Sequence, residues 1–320
     1  MNRAAPLSEK SLESEQSEDI RRCENLNHFT LTLGFIMADL RTTKSLDIVE
    51  TLVSMIADQA NEARSSAAFN RWIEVQKSFW RYSWNNTLLM AYQAKSYGFP
   101  LTRVAGSTKW QGMGRKVTGA AWGQRLWILA PVFKKIEDKS TGETRNLLTG
   151  FRSVYVFDQS QTEGADLPKL DSAAKGGDAG LVAALEGEFA RKGIDLSYFS
   201  PALMRASHGG ALGVSMGKTV RILDTLQGAE RASVLAHELA HSILHFKDGS
   251  SLDRDHSTST MEIEAESISA CILGAWGLDW RPQAMYLAAW GGDKTRVRES
   301  MGRIAGTAKS ILERILPAEE

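Results

Sequence analysis

Cysteine is scarce in this chain: its 320 residues include two, Cys23 and Cys271. They lie far apart and form no C-x-x-C pair, which argues against a disulfide framework and against a cysteine metal site. We interpret both as unpaired thiols in a reducing cytoplasm. The sequence also opens on a polar, acidic stretch without the apolar core of a signal peptide, and no apolar run approaches the ~18 residues needed to cross a bilayer. A cytoplasmic protein is therefore expected.

A net charge is also missing, because 38 basic residues balance 38 acidic ones. This balance does not hold locally. Residues 64–135 contain twelve Lys and Arg and one acid, Glu74, which gives the region a net charge of +11. The rest of the chain must then carry −11. Such a split predicts a basic module that binds an anionic partner, joined to a module with another task.

The basic region is also rich in Trp, Tyr and Phe. Aromatic faces interleaved with cations are suited to single-stranded nucleic acid, because bases stack on the rings while Lys and Arg neutralise phosphates. Trp80, Trp84 and Leu88 have helical spacing and are expected in the core. A basic solvated surface over buried aromatics stays open as the alternative. The candidate DNA contacts are Lys109, Trp110, Arg115, Lys116, Trp122 and Arg125.

Periodicity and composition predict an α+β protein of two domains. Residues 1–43 read as a polar tail whose order the composition leaves open. Residues 44–158 combine helices with later strands and form the predicted nucleic-acid-binding domain. Residues 159–179 are rich in Gly, Asp and Ser and are interpreted as a linker. Residues 180–320 form the second predicted domain, which is mostly helical with a small sheet.

Several element boundaries follow from local signals. The helical pattern of the first domain stops at Gly98. In the second domain, a strand pair is predicted to turn at Met216–Gly217. A buried helix is predicted over about 229–246, and a further helix over about 261–277.

The stretch "LAHELAHSILH" contains His237, Glu238 and His241 in the spacing H-E-x-x-H. Residues i and i+4 share one face of a helix, so both imidazoles can bind one metal ion. The helix is apolar nearly all round, and burying two His and a Glu in it is costly unless an ion such as Zn²⁺ binds them. Bound zinc would lower the pKa of its water toward ~7, and Glu238 would take the proton and pass it to a leaving amine. Two core histidines bonded to backbone carbonyls are the alternative.

A hydrolytic zinc site needs a third protein ligand. We expect Glu262, on the following helix, to bind the metal, and Glu266, at i+4, to orient a ligand histidine. A capping box between Ser259 and Glu262 is the structural alternative. Glu266 itself and His256, in the preceding polar loop, stay open as third ligands.

Three neighbouring residues are given no part in metal binding. His245 lies a full turn beyond His241 and is not expected to converge on the ion. Lys247 stands where a metzincin would have its third His, which excludes that variant. Glu264 has solvated surface as its simplest interpretation. The strand "GVSMGKTVRIL" is a candidate for holding an extended peptide by β-augmentation, with an ordinary core strand as the equal alternative.

Several motifs carry a resemblance to a known family. "FWRYSWNNTLLMAYQ", "TRVAGSTKWQGMGRKV", "LWILAPV" and "VYVFDQSQTEG" resemble the N-terminal domain of ArdC-type antirestriction proteins. "LAHELAHSILH" and "EIEAESISA" resemble the zincin-like metallopeptidase domain of that family, and the latter is similar also to ImmA/IrrE-type peptidases. The resemblance covers roughly residues 45–290.

The resemblance implies a bacterial or phage protein, often encoded on mobile elements, that protects incoming DNA from host restriction. It implies a non-specific single-stranded-DNA-binding domain ahead of a metal-binding domain. Carried over, it assigns metal binding to His237, His241 and Glu262, and the role of catalytic base to Glu238.

The resulting hypothesis is a single-stranded-DNA-binding zinc metalloendopeptidase with an antirestriction role. Its partners would be single-stranded DNA and a protein substrate, such as a restriction enzyme, a repressor or a DNA-bound protein. One alternative is a non-enzymatic protein that coats DNA and whose metal stabilises the fold. Another is a peptidase linked to DNA stress that cleaves a repressor or a DNA-bound protein.

Overall fold

The computed structural model of the chain describes residues 45–58, 62–137, 144–167, 177–247, 251–252, 257–278 and 293–316. The predicted tail at 1–43 and the alternative ligand His256 lie outside these residues. The chain divides into a short unit, Met1–Ile48, and a large unit, Val49–Glu320. None of the described helices combines the length and apolarity that crossing a membrane requires.

Three helices begin the described chain: α1 (Ser45–Ile56), α2 (Glu62–Ser78) and α3 (Trp84–Tyr97). Helix α3 ends as predicted at Gly98, whose φ of 76° is a left-handed conformation that glycine adopts without strain. Its central residues are all buried, although several are polar, and their side chains therefore need partners inside the protein.

Two amides of α3 provide such partners by binding a strand edge. Asn86 accepts from the backbone N–H of Leu129 (2.7 Å) and donates to its C=O (2.9 Å). Gln93 makes the same pair of bonds with the backbone of Trp127, at 2.9 Å each. The strand edge is thus hydrogen-bonded by side chains where a further strand would otherwise bind it.

The strands of this region are short, apart from one long antiparallel hairpin. Strand β3 (Leu126–Glu137) pairs with β4 (Thr144–Asp158), with a bulge between Val132 and Phe133. The short strand β1 (Val104–Ala105) pairs with the other edge of β4, so the sheet order is β1-β4-β3. The outer part of the hairpin extends from the core, and Phe133 there is 57% exposed. The smaller elements are β1 (Val104–Ala105), α4 (Ser107–Gly112), β2 (Arg115–Val117), a 3-10 turn (Ala120–Gln124), a second 3-10 turn (Gln159–Gln161) and β5 (Thr162–Gly164).

The second region is mostly helical around a three-stranded sheet. Strand β8 (Thr219–Leu223) lies between β6 (Asp195–Phe199), which is parallel to it, and β7 (Gly213–Ser215), which is antiparallel. The turn between β7 and β8 contains Gly217, with φ 80°, as predicted. The elements are α5 (Gly177–Arg191), β6 (Asp195–Phe199), α6 (Pro201–His208), β7 (Gly213–Ser215), β8 (Thr219–Leu223), α7 (Gly228–Leu244), β9 (Phe246–Lys247), β10 (Ser251–Leu252), α8 (Thr258–Trp276) and α9 (Lys294–Ile315).

Helix α8 is the buried centre of this region and packs against α7, α9 and α2. The predicted α+β class, with a mostly helical second part and a small sheet, is confirmed. The domain boundaries remain a prediction. Residues 159–164 of the predicted linker form a turn and strand β5, which pairs with β2.

Candidate metal centre

Helix α7 places the two histidines of the H-E-x-x-H motif on one face. The Nε2 atoms of His237 and His241 lie 3.0 Å apart, and both rings are partly buried. The opposite face of the helix is anchored by fully buried Leu235 and Leu239. The apolar residues of the motif thus hold the helix in the core, while the imidazoles face a cleft.

Helix α8 brings Glu262 to the same point. Its Oε2 atom lies 3.3 Å from Nε2 of His237, and its Oε1 atom lies 3.4 Å from Nε2 of His241. One ligand atom from each residue can be chosen so that all three lie within 4.8 Å of one another. The helix begins after Ser257, whose hydroxyl caps it by accepting from the N–H of Thr260. The alternative capping box between Ser259 and Glu262 is therefore not formed.

The donor set fits a divalent metal ion. Two imidazole nitrogens and one carboxylate are the ligand types of hydrolytic zinc sites, and related cations accept them as well. Burial lowers the pKa of His237, but hydrogen bonds to Glu262 and Glu266 outweigh it and raise the pKa to about 9. Hydrogen bonds from His237 and His241 hold the pKa of Glu262 well below its ordinary range. The cluster therefore favours bound positive charge, which a divalent cation would supply in place of a proton.

Glu238 lies beside the cluster but points toward strand β7. Burial raises the pKa of its carboxyl to about 7, and the nearby charge of Glu262 adds to this, while His237 and the backbone N–H of Ser215 oppose it. A carboxyl that titrates near neutral pH can both accept and release a proton under physiological conditions.

Gly213, on β7, leaves the space that Glu238 occupies. A Cβ atom at this position would lie 2.7 Å from Cγ and Oε1 of Glu238 and 2.7 Å from Cγ1 of Val234. Such contacts are too short for any side chain to fit without displacing the carboxylate. The sequence contains no local signal for this requirement, because Gly213 and Glu238 meet only in the folded protein.

A second layer of side chains contacts the two histidines. Oε2 of Glu266 lies 3.4 Å from Nδ1 of His237, and its orienting role stays a prediction. Nδ1 of His245 lies 2.9 Å from Nδ1 of His241, and its Nε2 lies 3.1 Å from Oε2 of Glu264. His245 thus does not converge on the cluster. Glu264 is fully buried, which excludes solvated surface for this residue.

The cluster opens into a cleft of about 370 Å³. Strand β7 lines one side of it, and Phe246, Thr258 and Met261 line much of the remainder. Leu212 and Met216, at the two ends of β7, are exposed. The cleft therefore combines a short strand at the edge of its sheet, apolar side chains and a polar cluster at its base.

The candidate DNA contacts differ in how accessible they are. Lys109, Lys116 and Trp122 are exposed, and the ring of Trp122 packs edge-on against Phe157. Trp110 is buried and donates from Nε1 to the C=O of Phe157 at 2.9 Å. Its ring therefore does not present a face to a base.

The two candidate arginines bind within the protein. The guanidinium of Arg115 donates to the hydroxyl and C=O of Thr162, at 2.8 Å each, and to the C=O of Ala165. The guanidinium of Arg125 lies over the ring of Tyr155, 4.7 Å from its centre, and donates to the C=O of Trp122. Both side chains are held in place, and Arg125 extends an aromatic surface.

The β3–β4 hairpin has an exposed aromatic face that was not predicted from the sequence. The register pairs Trp127 with Tyr155 and Pro131 with Phe151, which places these four residues on one face. Tyr155 and Phe151 are each nearly half exposed. Phe151, Ser153 and Tyr155 stand at every second position of β4 and therefore share one face of the strand. Two aromatic residues at this spacing are typical of a strand with one exposed aromatic face.

Comparisons with known proteins give a match to one domain model and likenesses to solved structures. Residues 189–273 match the model of the IrrE N-terminal-like domain, Peptidase_M78. The metal-free crystal structure of the antirestriction protein ArdC from the R388 plasmid is 20% identical, covers 73% of this chain and 85% of that one, and gives a TM-score of 0.45. Its Mn(II)-bound structure is 18% identical, with 74% and 90% coverage and a TM-score of 0.44. No curated protein matches the chain. The chain is thus similar to the ArdC-type and IrrE-type proteins that its motifs resemble.

Proposed function

We propose that this protein is a metal-dependent endopeptidase that binds single-stranded DNA and protects incoming DNA from restriction in the bacterial cytoplasm. The observation that carries the proposal is the cluster of His237, His241 and Glu262 beside a buried Glu238, at the base of a cleft. The match of residues 189–273 to a peptidase-related domain supports it, because these residues include the whole cluster.

The proposed cofactor is one catalytic Zn²⁺ ion, held by the two imidazoles and Glu262. When bound, it would polarise a scissile carbonyl and activate water for attack. Side chains of the protein orient the ligands and transfer the protons. Glu266 orients the imidazole of His237, and Glu238 takes a proton from the attacking water and delivers it to the leaving amine. Ser215 and Gly213 keep the carboxylate of Glu238 aligned for both transfers.

The shape of the cleft supports a peptide as substrate. Strand β7 has β8 on one side and the cleft on the other, so an extended peptide could add to it as a further strand. Exposed Leu212 and Met216 would then contact apolar side chains of the peptide. A restriction enzyme, a repressor and another DNA-bound protein are the substrate classes to test.

The basic region supports DNA binding. Exposed Lys109 and Lys116 would contact phosphates, and Trp122 would offer a face for base stacking. Arg125 lies over the ring of Tyr155 and donates to the C=O of Trp122. Tyr155 and Arg125 would therefore extend the surface on which bases stack. Because these contacts go to the backbone and to ring faces, we expect little sequence preference.

Replacing Glu238 tests the proposal. We expect Glu238→Gln to bind Zn²⁺ and single-stranded DNA as the wild type does, while hydrolysis of an unfolded protein probe such as casein falls by about 10²- to 10⁴-fold. Protection of incoming DNA against restriction should fall with it. Glu230→Gln, an exposed position on the same helix, is the matched control and should change neither.

The same measurements separate the competing functions. Full protection by Glu238→Gln would contradict a need for proteolysis and would favour a DNA-coating protein with a structural metal. In that case, charge reversal at Lys116 and Arg125 should abolish protection. Cleavage that does not respond to single-stranded DNA would count against a peptidase linked to DNA stress.

A further inference from the structure

The two histidines of the cluster have different partners on their outer nitrogens. Nδ1 of His237 faces the carboxylate of Glu266 directly, at 3.4 Å, and Glu266 is partly exposed. Among the residues that the structure describes, no carboxylate faces Nδ1 of His241. This nitrogen lies 2.9 Å from Nδ1 of His245, whose ring is almost fully buried.

Further buried side chains are hydrogen-bonded to His245 and to one another. Nε2 of His245 lies 3.1 Å from Oε2 of Glu264, which has no exposed surface. Glu264 also accepts from Nε of Arg303, at 3.0 Å, and from the hydroxyl of Ser300. Both of these residues belong to α9, which lies outside the segment 189–273 that matches the family model.

When the imidazoles of His241 and His245 are both neutral, the hydrogen bonds that join them to Glu264 allow only one placement of the ring protons. Glu264 beside Arg303 is an ionised acceptor, so Nε2 of His245 carries the proton and donates to it. Nδ1 of His245 then has a lone pair and accepts from Nδ1–H of His241. Nε2 of His241 is left without a proton, and its lone pair faces the point where His237 and Glu262 also converge.

We propose that His245, held by Glu264 and α9, is a positioning residue that fixes the tautomer and ring orientation of His241 for metal binding. The inference rests on the metal site proposed above. An imidazole free to rotate or to change tautomer binds a metal ion less tightly, because the unproductive states must be excluded first. Helix α9 thereby supports a proposed ligand on α7 through two buried side chains.

Metal affinity of the full chain tests this role directly. We expect His245→Leu to weaken Zn²⁺ binding, measured by competition with a chromophoric chelator, by about 10- to 100-fold. His245→Gln keeps an acceptor for His241 and a donor for Glu264, and should recover most of the loss. Co²⁺ absorption should change in the Leu variant and return toward wild type in the Gln variant. Glu313→Gln, at an exposed position on α9 that pairs with Lys309, is the control and should leave the affinity unchanged.

The outcomes separate this proposal from the metal site itself. A wild-type protein that binds neither Zn²⁺ nor Co²⁺ would refute both. Wild-type binding together with equal affinity in folded His245→Leu would refute the positioning role alone, even if that variant unfolds at a lower temperature. If His245→Leu does not fold, Glu264→Gln takes its place. An affinity within twofold of wild type in that variant would overturn the proposal, and a loss of about 10-fold would support it.

Discussion

The candidate metal site and the basic surface of this protein differ in how firmly their polar side chains are held by neighbouring residues. Around the cluster, each imidazole has a partner on both nitrogens, and most of these partners are buried or half-buried. On the basic surface, Lys109 and Lys116 project into solvent. A cluster with fixed partners depends on each of its members, whereas a surface of separate charges loses only a share of its binding when one is removed. We therefore expect single substitutions to have large effects in the cluster and small effects on the surface.

Helix α8 contains the same contrast within five residues. The side chain of Glu262 is 56% exposed and faces the cleft, while that of Glu264, two positions later, is completely buried and faces α9. Glu266 returns to the face of Glu262, one turn along. Three identical residues thus have three different surroundings, and only their tertiary contacts distinguish them.

Among changes that leave the side chains of the cluster themselves intact, the largest effect is expected from adding one methyl group at Gly213. In Gly213→Ala, Cβ would overlap the carboxylate of Glu238, so we expect a loss of about 1 to 3 kcal/mol in the free energy of unfolding. Displacement of the carboxylate by about 1 Å should lower hydrolysis of casein by about 10²-fold. Urea unfolding and steady-state hydrolysis measure the two effects.

The control for this prediction is Gly187→Ala, on α5, where a Cβ would meet no atom within 4 Å. This change in a helix interior should stabilise the protein by about 0.5 to 1 kcal/mol and leave hydrolysis unaffected. Equal behaviour of the two variants would refute the idea that the cluster tolerates less change than its surroundings.

An intermediate effect is expected at Glu188, a buried carboxylate of α5 away from the cluster. Burial raises its pKa, but hydrogen bonds from Arg191 and Arg314, at 2.9 Å each, outweigh it, and the net pKa is lowered. A carboxyl with a lowered folded-state pKa stabilises the protein above the ordinary value of 4.5, and this contribution is lost as the pH falls further. We expect Glu188→Gln to be less stable than wild type by about 1.5 kcal/mol at pH 7. The difference should shrink toward pH 3 in urea unfolding.

The exposed pair of Glu313 and Lys309 is the comparison for Glu188. Glu313→Gln should change stability by less than about 0.5 kcal/mol at either pH, because solvent screens this pair. A difference between wild type and Glu188→Gln that does not vary with pH would contradict the assignment of an ionised, hydrogen-bonded carboxylate.

The smallest effect is expected on the basic surface. Lys109→Ala combined with Lys116→Ala should weaken binding to single-stranded DNA and make the log–log salt dependence less steep by about 1.4, or about 0.7 for each lost phosphate contact. Fluorescence anisotropy at several salt concentrations measures this. Lys218→Ala, exposed at the β7–β8 turn, should leave the slope unchanged. A double variant with the wild-type slope would exclude these lysines from the interface.

Local spacing was enough to predict the centre of the candidate site. The i and i+4 positions of His237 and His241 depend only on helix geometry, and α7 spans Gly228–Leu244, close to the predicted range. Helix α8 likewise ends at Gly277, which has a φ of 95°. Glu262 was within reach of prediction because it is the first acidic residue of the next buried helix.

The surroundings of the site were not predictable in the same way, because they depend on residues far apart in the chain. Glu264 is buried where Ser300 and Arg303 donate hydrogen bonds to it from α9. Trp110 was a reasonable DNA contact by composition, but its indole N–H binds the backbone of β4 and its ring fills the core. Neither the burial of Glu264 nor that of Trp110 can be predicted from the local sequence.

Helix α9 also changes how the protein can be divided. Arg303 and Arg314 on this helix bind the buried carboxylates Glu264 and Glu188, and Gly302 lies against Trp84 of α3. A fragment excised after residue 278 would retain the whole H-E-x-x-H motif and the segment that resembles IrrE-type proteins. It would nevertheless contain a buried, ionised Glu264 without its arginine. We therefore expect a stable fragment around the candidate metal site to need α9 in addition to the segment that matches the domain model.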